Sequence, residues 1–174
     1  MIETKHLQLH AVKQIHMELF WRNRDELATL LQVTLPKDWP HFSHAFSLSE
    51  NKPADSSSGL THWRGYFFIW PAGGVLVGNG GFKGPPNRLG KVEIGYEIAA
   101  EYWNRGFATE AVQGMIDYAF AQKEVQTVIA HTLAEKNASN RVLQKVGMEY
   151  SAEVDSPNLG KIHRWQISRE NYKP

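Results

Sequence analysis

The stretch YWNRGFATEA, residues 102–111, places a glycine and a cation directly before an amphipathic helical pattern. A helix that begins near Gly106 leaves its first backbone N–H groups without intrahelical partners, and these groups together with the helix dipole attract an anion. Gly106 lets the backbone approach a ligand, Ala108 is small, and Arg105 can add charge-assisted hydrogen bonds. The pattern predicts a diphosphate site. On this stretch alone, a loop that simply ends at Gly106 beside a solvated Arg105 is an equally good interpretation.

A second helical pattern follows the stretch NASN, residues 137–140. Asparagine is a preferred N-cap residue and stabilises a helix by about 1 kcal/mol in that position, so Asn137 is predicted to cap this helix. A capping side chain at the mouth of a helix still faces any ligand that binds there. Capping and ligand binding are therefore compatible roles for Asn137.

The hydrophobic period along the chain predicts the elements that must position these residues. The predicted order is β, α, α, β, β, β, α, β, α, β, β, and the three central strands form an antiparallel meander because strong turn signals separate them. The predicted strands cover residues 7–12, 63–70, 74–82, 91–98, 125–133, 148–154 and 161–167, and the predicted helices cover 15–31, 43–48, 106–120 and 139–146.

Composition limits the class of protein. The 174 residues are 42% hydrophobic, enough for one well-filled core, and we expect a single domain over residues 1–174. Lysine and arginine number 19 against 18 acidic residues, so no strong field favours nucleic acid or a membrane surface as a partner. The absence of cysteine excludes disulfides, thiolate metal sites and a cysteine nucleophile. With no signal peptide or membrane-spanning run in the sequence, we expect a cytoplasmic protein.

Two motifs in a fixed order carry a family resemblance. VEIGYEIAAEYWNRGFATEAV, followed after a strand by NASNRVLQKVGM, resembles the acetyl-CoA-binding half of the GNAT N-acetyltransferases, and more narrowly their RimJ/RimL-like branch. The resemblance implies an α/β (α+β) fold. It implies a mixed, mostly antiparallel sheet of about six to seven strands with a splayed central pair, flanked by about four helices. It also implies acetyl-CoA as cosubstrate and no metal.

The resemblance assigns coenzyme-binding roles to particular residues. The loop that wraps the CoA pyrophosphate aligns with Trp103 to Ala108, and the main-chain N–H groups that contact phosphate are those of Arg105, Gly106, Phe107, Ala108 and Thr109. Trp103 stands where the family has Arg or Gln, and Asn104 replaces a frequent glycine. The resemblance further implies that pantetheine pairs with the main chain of Ile98 and Ala99 in the manner of an added strand. It places Asn137 and Ser139 against the pantetheine arm and the reacting sulfur.

The chemistry that the resemblance implies is attack of a neutral amine on the acetyl carbonyl, which expels CoA thiolate. Glu93 is the candidate base, acting directly or through a water, and this role requires a raised pKa or a relay because an unperturbed glutamate has a pKa of about 4.3. A strand carboxylate with a purely structural role is the alternative. His131 is a second candidate base. Ser139 is the candidate acid for the thiolate, ahead of Tyr150.

The amine acceptor is the least constrained part of the prediction. The resemblance places acceptor recognition around Trp21, residues 39–42 and the turn at residues 155–160, and the loop at 82–90 can add a rim. Amino acids, small amines, aminoglycoside-like antibiotics and protein N-termini all remain open, in a monomer or a homodimer. A domain that senses CoA or acetyl-CoA without turnover is the rival function, and the aromatic residues can equally belong to the core.

Overall fold

Eight strands form one sheet in the computed structural model, which describes residues 1–40, 63–135 and 137–173. The strands follow the order β1-β2-β3-β4-β5-β6-β8-β7, and every neighbouring pair is antiparallel except β5 and β6. Their bounds are β1 Ile2–Glu3, β2 Gln8–Ala11, β3 Gly65–Trp70, β4 Val75–Phe82, β5 Lys91–Ile98, β6 Thr127–Leu133, β7 Glu149–Ser156 and β8 Gly160–Ser168. The fold is the mixed, mostly antiparallel α/β sheet that the sequence predicted.

The sheet has one strand more than the upper predicted number. The additional strand is β1, which pairs with β2 through Ile2↔Leu9 and Glu3↔Gln8. A strand of two residues is too short to show a hydrophobic period, so the sequence pattern could not reveal it.

Four helices occur in the described residues: α1 Gln14–Arg22, α2 Arg24–Leu31, α3 Phe107–Ala121 and α4 Ala138–Lys145. The single long helix predicted over residues 15–31 is wrong, because Asn23 breaks it. Asn23 has extended dihedrals, φ −157° and ψ 93°, and its side chain accepts a hydrogen bond from the backbone of Glu26. It is therefore the N-cap of α2, a role that asparagine favours. The predicted helix at 43–48 and the polar loop after it lie outside the described residues.

The helices cover the two faces of the sheet unequally. On one face, α3 and α4 pack against the larger core, in which Ile94, Met115 and Leu143 are almost fully buried. On the other face, α1 and α2 form a smaller core with Phe67 and Leu76 from β3 and β4. The sheet thus separates a face that carries the start of α3 from a face that carries the first two helices.

Two glycines show how closely β4 approaches β5. A Cβ atom added at Gly78 would lie 2.1 Å from the main-chain oxygen of Glu97, and one added at Gly80 would lie 2.6 Å from that of Gly95. Real Cβ atoms do not make such contacts. Glycine is therefore required at these positions for the two backbones to pair as they do.

Within residues 1–40, 63–135 and 137–173, none of the helices combines the length and apolarity that a membrane crossing requires.

Candidate active site

The two parallel strands β5 and β6 separate along their length. They pair from Lys91↔Thr127 to Ile94↔Ala130 and no further. Beyond that point β5 continues to pair with β4 as far as Ile98, and β6 continues to pair with β8 as far as Leu133. The central pair of the sheet is therefore splayed, as predicted, and a gap opens between residues 95–98 and 131–133.

The main chain of β5 offers hydrogen-bonding groups to this gap. Ala99 N donates to Val77 O and Lys83 N donates to Glu93 O, both at 2.9 Å, so the odd-numbered residues of β5 face β4. Because the main chain of a strand turns its polar groups alternately to either side, those of Tyr96 and Ile98 face β6 and the gap. The Ile98 oxygen accepts a hydrogen bond from Trp103 Nε1 at 2.6 Å.

Ala99 differs from Ile98 in this respect. Its N–H donates to Val77 and its oxygen accepts a hydrogen bond from Tyr102 N at 2.9 Å, so both main-chain groups already have partners inside the chain. Of the two residues predicted to pair with pantetheine, the structure places only Ile98 with its main chain toward the gap. The role of Ala99 stays a prediction.

The helix α3 has an uncapped N-terminus and follows β5 after a segment in which Trp103 hydrogen-bonds to Ile98. Gly106 is its N-cap with φ 85°, a left-handed conformation that favours glycine, and no side chain caps the helix. A Cβ atom added at Gly106 would meet no atom within 4 Å, so the space above it is open. Among the described residues no group accepts a hydrogen bond from the N–H of Phe107, Ala108 or Thr109.

The loop before α3 contains the two residues that depart from the family pattern, Trp103 and Asn104. Asn104 has φ 60°, and asparagine is the non-glycine residue that best tolerates this region, which explains how it can replace a glycine. The exposed Arg105 lies with Cζ 5.6 Å from the ring centroid of Tyr102. The buried Phe107 ring packs against Trp70, so its contribution to an anion site is its N–H alone.

The N-terminus of α4 lies on the other side of the gap. Asn137 is its N-cap, as predicted: Oδ1 accepts from Asn140 N at 3.0 Å and Nδ2 donates to Leu133 O at 3.3 Å. Both ends of this amide therefore have partners in the chain. The main-chain oxygen of the half-buried Ser139 accepts a hydrogen bond from Tyr96 Oη at 3.3 Å.

Tyr96 is a candidate functional residue that the sequence reasoning missed. Its burial raises the pKa to about 12 despite the hydrogen bond to Ser139, so the phenol keeps its proton at neutral pH. Alternation along β5 puts Tyr96 on the same face as Val92, Ile94 and Ile98, which are core residues, so the sequence pattern does not distinguish it from them. Its position in the unpaired half of β5 is the signal that could have singled it out.

Glu93 belongs to a cluster of three polar side chains at the closed end of the gap. Its Oε1 accepts a hydrogen bond from Lys83 Nζ and lies 2.9 Å from His131 Nδ1. Burial would raise the pKa of Glu93, but the hydrogen bonds from Lys83 and His131 outweigh that effect and lower it on balance. The lowered pKa does not fit a direct base, and the role of Glu93 in proton transfer stays a prediction. The sequence did not point to Lys83, because the register of the β4–β5 hairpin is not visible in it.

The remaining predicted residues differ in their surroundings. Trp39 is only 2% exposed, packs in the smaller core and donates Nε1 to Asn79 Oδ1, so it is a core residue, whereas Trp21 is 63% exposed. Residues 41–42 lie outside the described residues. Tyr150 stacks edge-on against His163 and Trp165 beside a cavity of about 800 Å³ that Asn137 also lines. The described residues contain no group of three or more His, Asp or Glu side chains arranged to hold a metal.

A mixed α/β sheet with this topology is the fold of solved acetyltransferases of the GNAT family. The family model described as "Acetyltransferase (GNAT) domain" matches residues 6–149, and the chain belongs to this family. The predicted family is thus confirmed. The family uses acetyl-CoA.

Individual relatives agree with this membership. The uncharacterized N-acetyltransferase YoaA of Bacillus subtilis is 35% identical over 74 residues, a stretch that spans 42% of this chain and 42% of the relative. RimJ of Mycobacterium smegmatis, solved with CoA-disulfide, shares the fold with a TM-score of 0.63 and 16% identity over 94% of this chain and 82% of that one. Spermidine N-acetyltransferase of Vibrio cholerae, solved with CoA and spermine, has a TM-score of 0.66 and 16% identity over 96% and 98% of the two chains.

Proposed function

We propose that this chain transfers the acetyl group of acetyl-CoA to a primary amine by direct attack within a ternary complex. The observation that carries the proposal is the gap between β5 and β6. The pairing of the two strands ends at Ile94↔Ala130 and the gap opens beyond this pair, while α3, which follows β5 in the chain, has a free N-terminus. The pyrophosphate of the coenzyme needs an anion site, and the arm that carries the thioester needs a neighbouring slot lined by main-chain groups.

The residues at the start of α3 fit the pyrophosphate. The N–H groups of Phe107, Ala108 and Thr109 have no described partner, and the helix dipole adds to their attraction for an anion. Gly106 leaves open space at the mouth of the helix. Arg105, held beside Tyr102, adds a positive charge at the rim of the same site.

The gap itself fits the pantetheine arm. The main chain of Tyr96 and the N–H of Ile98 face it, whereas the Ile98 oxygen already accepts from Trp103. An extended ligand can pair with the groups that face the gap as an added strand does. The thioester supplies an activated acyl carbonyl at the end of this arm. Tyr96 Oη donates a hydrogen bond to the main-chain oxygen of Ser139, where α4 borders the gap. Tyr96 thus joins Ser139 and Tyr150 as a candidate to protonate the leaving thiolate.

The acceptor is a small amine, an amino acid, an antibiotic or a protein N-terminus. Two structural neighbours, by their names, act on spermidine or belong to the RimJ proteins, which supports an amine acceptor without choosing among these classes. An amine with a pKa of about 10.4 is almost fully protonated at neutral pH, whereas an α-amine near 7.7–8.0 is roughly one-tenth neutral. A proton acceptor in the protein is therefore most needed for side-chain-type amines.

Acetyl-CoA incubated with a panel of amino acids, polyamines, antibiotics and peptide N-termini tests the proposal, with a thiol-reactive dye to detect released CoA. We expect at least one amine to raise CoA release well above the rate in buffer, and EDTA to leave that rate unchanged because we propose no metal. A protein that binds acetyl-CoA by calorimetry but releases no CoA with any amine would be a sensor instead of an enzyme.

A further inference from the structure

Glu93 and His131 meet at the point where the two central strands part. The last pair between β5 and β6 is Ile94↔Ala130, so Glu93 lies just before the separation and His131 just after it. Ile94 is buried in the core formed with α3 and α4, and alternation along β5 turns Glu93 to the opposite face of the sheet. The pair therefore borders the gap from the face that does not carry the proposed coenzyme site.

The contact between Glu93 and His131 fixes the tautomer of the imidazole. Oε1 of Glu93 lies 2.9 Å from Nδ1 of His131, and the carboxylate can only accept a hydrogen bond, so Nδ1 carries the proton. In the neutral ring this leaves the lone pair on Nε2. Among the described residues no group hydrogen-bonds to Nε2, and the His131 side chain is 21% exposed. The imidazole is therefore held by a hydrogen bond at Nδ1, while Nε2 is available to a substrate.

Gly95 leaves room beside the imidazole. Had the parallel pairing continued by one residue, Gly95 would stand opposite His131. A Cβ atom added there would meet only Lys83 Cε, at 4.0 Å, so the space on this face is open. An amine can enter over Gly95 and come within reach of Nε2 while the acetyl group lies in the gap.

We propose that His131 accepts the proton of the acceptor amine and that Glu93 is a positioning residue that holds the imidazole in the productive tautomer. This inference rests on the proposed function. In the reaction the N–C bond forms and the C–S bond breaks. One proton passes from the amine nitrogen to Nε2, and the sulfur leaves with the bonding electron pair and takes up one proton. The arrangement is that of a carboxylate behind a general-base histidine.

Three charged groups surround the imidazole and make the proposal sensitive to charge. Glu93 is on β5, and Lys83, after β4, hydrogen-bonds to the same carboxylate oxygen. Arg164 on β8 is the direct strand partner of His131, and its Nε donates to Ser151 Oγ at 3.2 Å. A loss of the carboxylate destabilises the imidazolium, whereas a loss of the Lys83 charge stabilises it.

The dependence of kcat/KM on pH tests these roles, measured with the amine of the panel that the wild type turns over fastest. Because protonation of the free amine gives an acid limb of its own, the amine concentration is expressed at each pH as that of its neutral form. We expect His131→Gln to lose the acid limb of the profile and about 100-fold or more in kcat/KM at neutral pH. We expect Glu93→Gln to keep an acid limb that moves to lower pH, and Lys83→Met to move it to higher pH. An acid limb that survives in His131→Gln, or that disappears in Glu93→Gln, would overturn the assignment.

A second measurement does not need turnover. Nitrogen-15 spectra of the imidazole in the wild type, recorded with acetyl-CoA bound and at a pH where the ring is neutral, should show the Nδ1–H tautomer. The Glu93→Gln variant should show a larger share of the Nε2–H form. A wild-type ring that is mainly Nε2–H would refute the inference even if the enzyme is active. An absence of CoA release with every amine would instead refute the proposed function. Calorimetry with acetyl-CoA shows that each variant keeps its fold.

Discussion

Oε1 of Glu110, in the first turn of α3, accepts a hydrogen bond from Thr4 Oγ1 at 2.6 Å. The same oxygen accepts from Leu7 N at 3.1 Å, and Oε2 lies 2.9 Å from His6 Nδ1. One carboxylate thus joins the segment between β1 and β2 to the helix whose N-terminus forms the proposed phosphate site. The proposed phosphate site and the stability of the sheet edge therefore share the first turn of α3.

We expect Glu110→Gln to lower the free energy of unfolding by about 1–3 kcal/mol, because an amide cannot accept all of these hydrogen bonds and leaves donors unpaired. Urea unfolding at pH 7 measures the loss. Glu101→Gln is the matched control, since Glu101 is exposed and makes no hydrogen bond to a described residue, and it should change stability by less than about 0.5 kcal/mol.

The same substitution has a definite pH dependence. Burial would raise the pKa of Glu110, but the bonds from Thr4 and His6 lower it on balance, below the ordinary 4.5. A lowered folded-state pKa gives stability that is complete above the ordinary value and is lost as the pH falls through the lowered one. The difference between wild type and Glu110→Gln should therefore shrink as the pH falls below 4.5. A difference that grows in acid would contradict the role of the carboxylate.

The phosphate site can be tested with a pair of isosteric substitutions at Gly106. Asparagine and aspartate both tolerate the left-handed φ of 85° better than other side chains, and a Cβ atom there meets nothing within 4 Å. Gly106→Asp adds a negative charge close to the pyrophosphate and should weaken acetyl-CoA binding by about 100-fold, whereas Gly106→Asn should change it by less than about fivefold. Calorimetry gives both dissociation constants. An equal loss of acetyl-CoA affinity in the two variants would mean that Gly106 is needed to avoid backbone strain and that no phosphate lies next to it.

Local features of the chain were predictable because each depends on neighbouring residues. The strand Lys91–Ile98, the N-cap Gly106 and the N-cap Asn137 appear where the period and the capping rules put them. The break at Asn23 was missed because the apolar period continues across it, and a cap is decided by one side-chain hydrogen bond. Glu93 and His131 are 38 residues apart in the sequence. Their contact depends on the register between β5 and β6, which no local sequence pattern reveals.

The close approach of the β4 backbone to the β5 backbone leads to a prediction that concerns only the stability of the fold. A Cβ atom at Gly78 would lie 2.1 Å from Glu97 O, a main-chain atom that cannot turn away. Gly78→Ala should therefore lower the free energy of unfolding by about 1–3 kcal/mol. Gly95→Ala on the facing strand is the control, because its Cβ has ordinary space, and it should leave stability unchanged or slightly higher. Thermal and urea unfolding measure both, and a Gly78→Ala protein as stable as the wild type would show that β4 can move away from β5.

The open space at Gly95 allows the proposed route of the amine to be tested separately from that of the coenzyme. If the amine enters over Gly95 and acetyl-CoA binds from the face of α3, then Gly95→Leu should raise the KM for the amine by about tenfold or more. It should leave the dissociation constant of acetyl-CoA unchanged. Gly95→Ala, which adds one methyl group near Lys83 Cε, should raise that KM far less. Steady-state kinetics with the amine varied at saturating acetyl-CoA, together with calorimetry, make the comparison. A Gly95→Leu variant that loses acetyl-CoA affinity while the KM for the amine stays constant would indicate the reverse arrangement, with acetyl-CoA on the Gly95 face of the sheet and the amine on the α3 face.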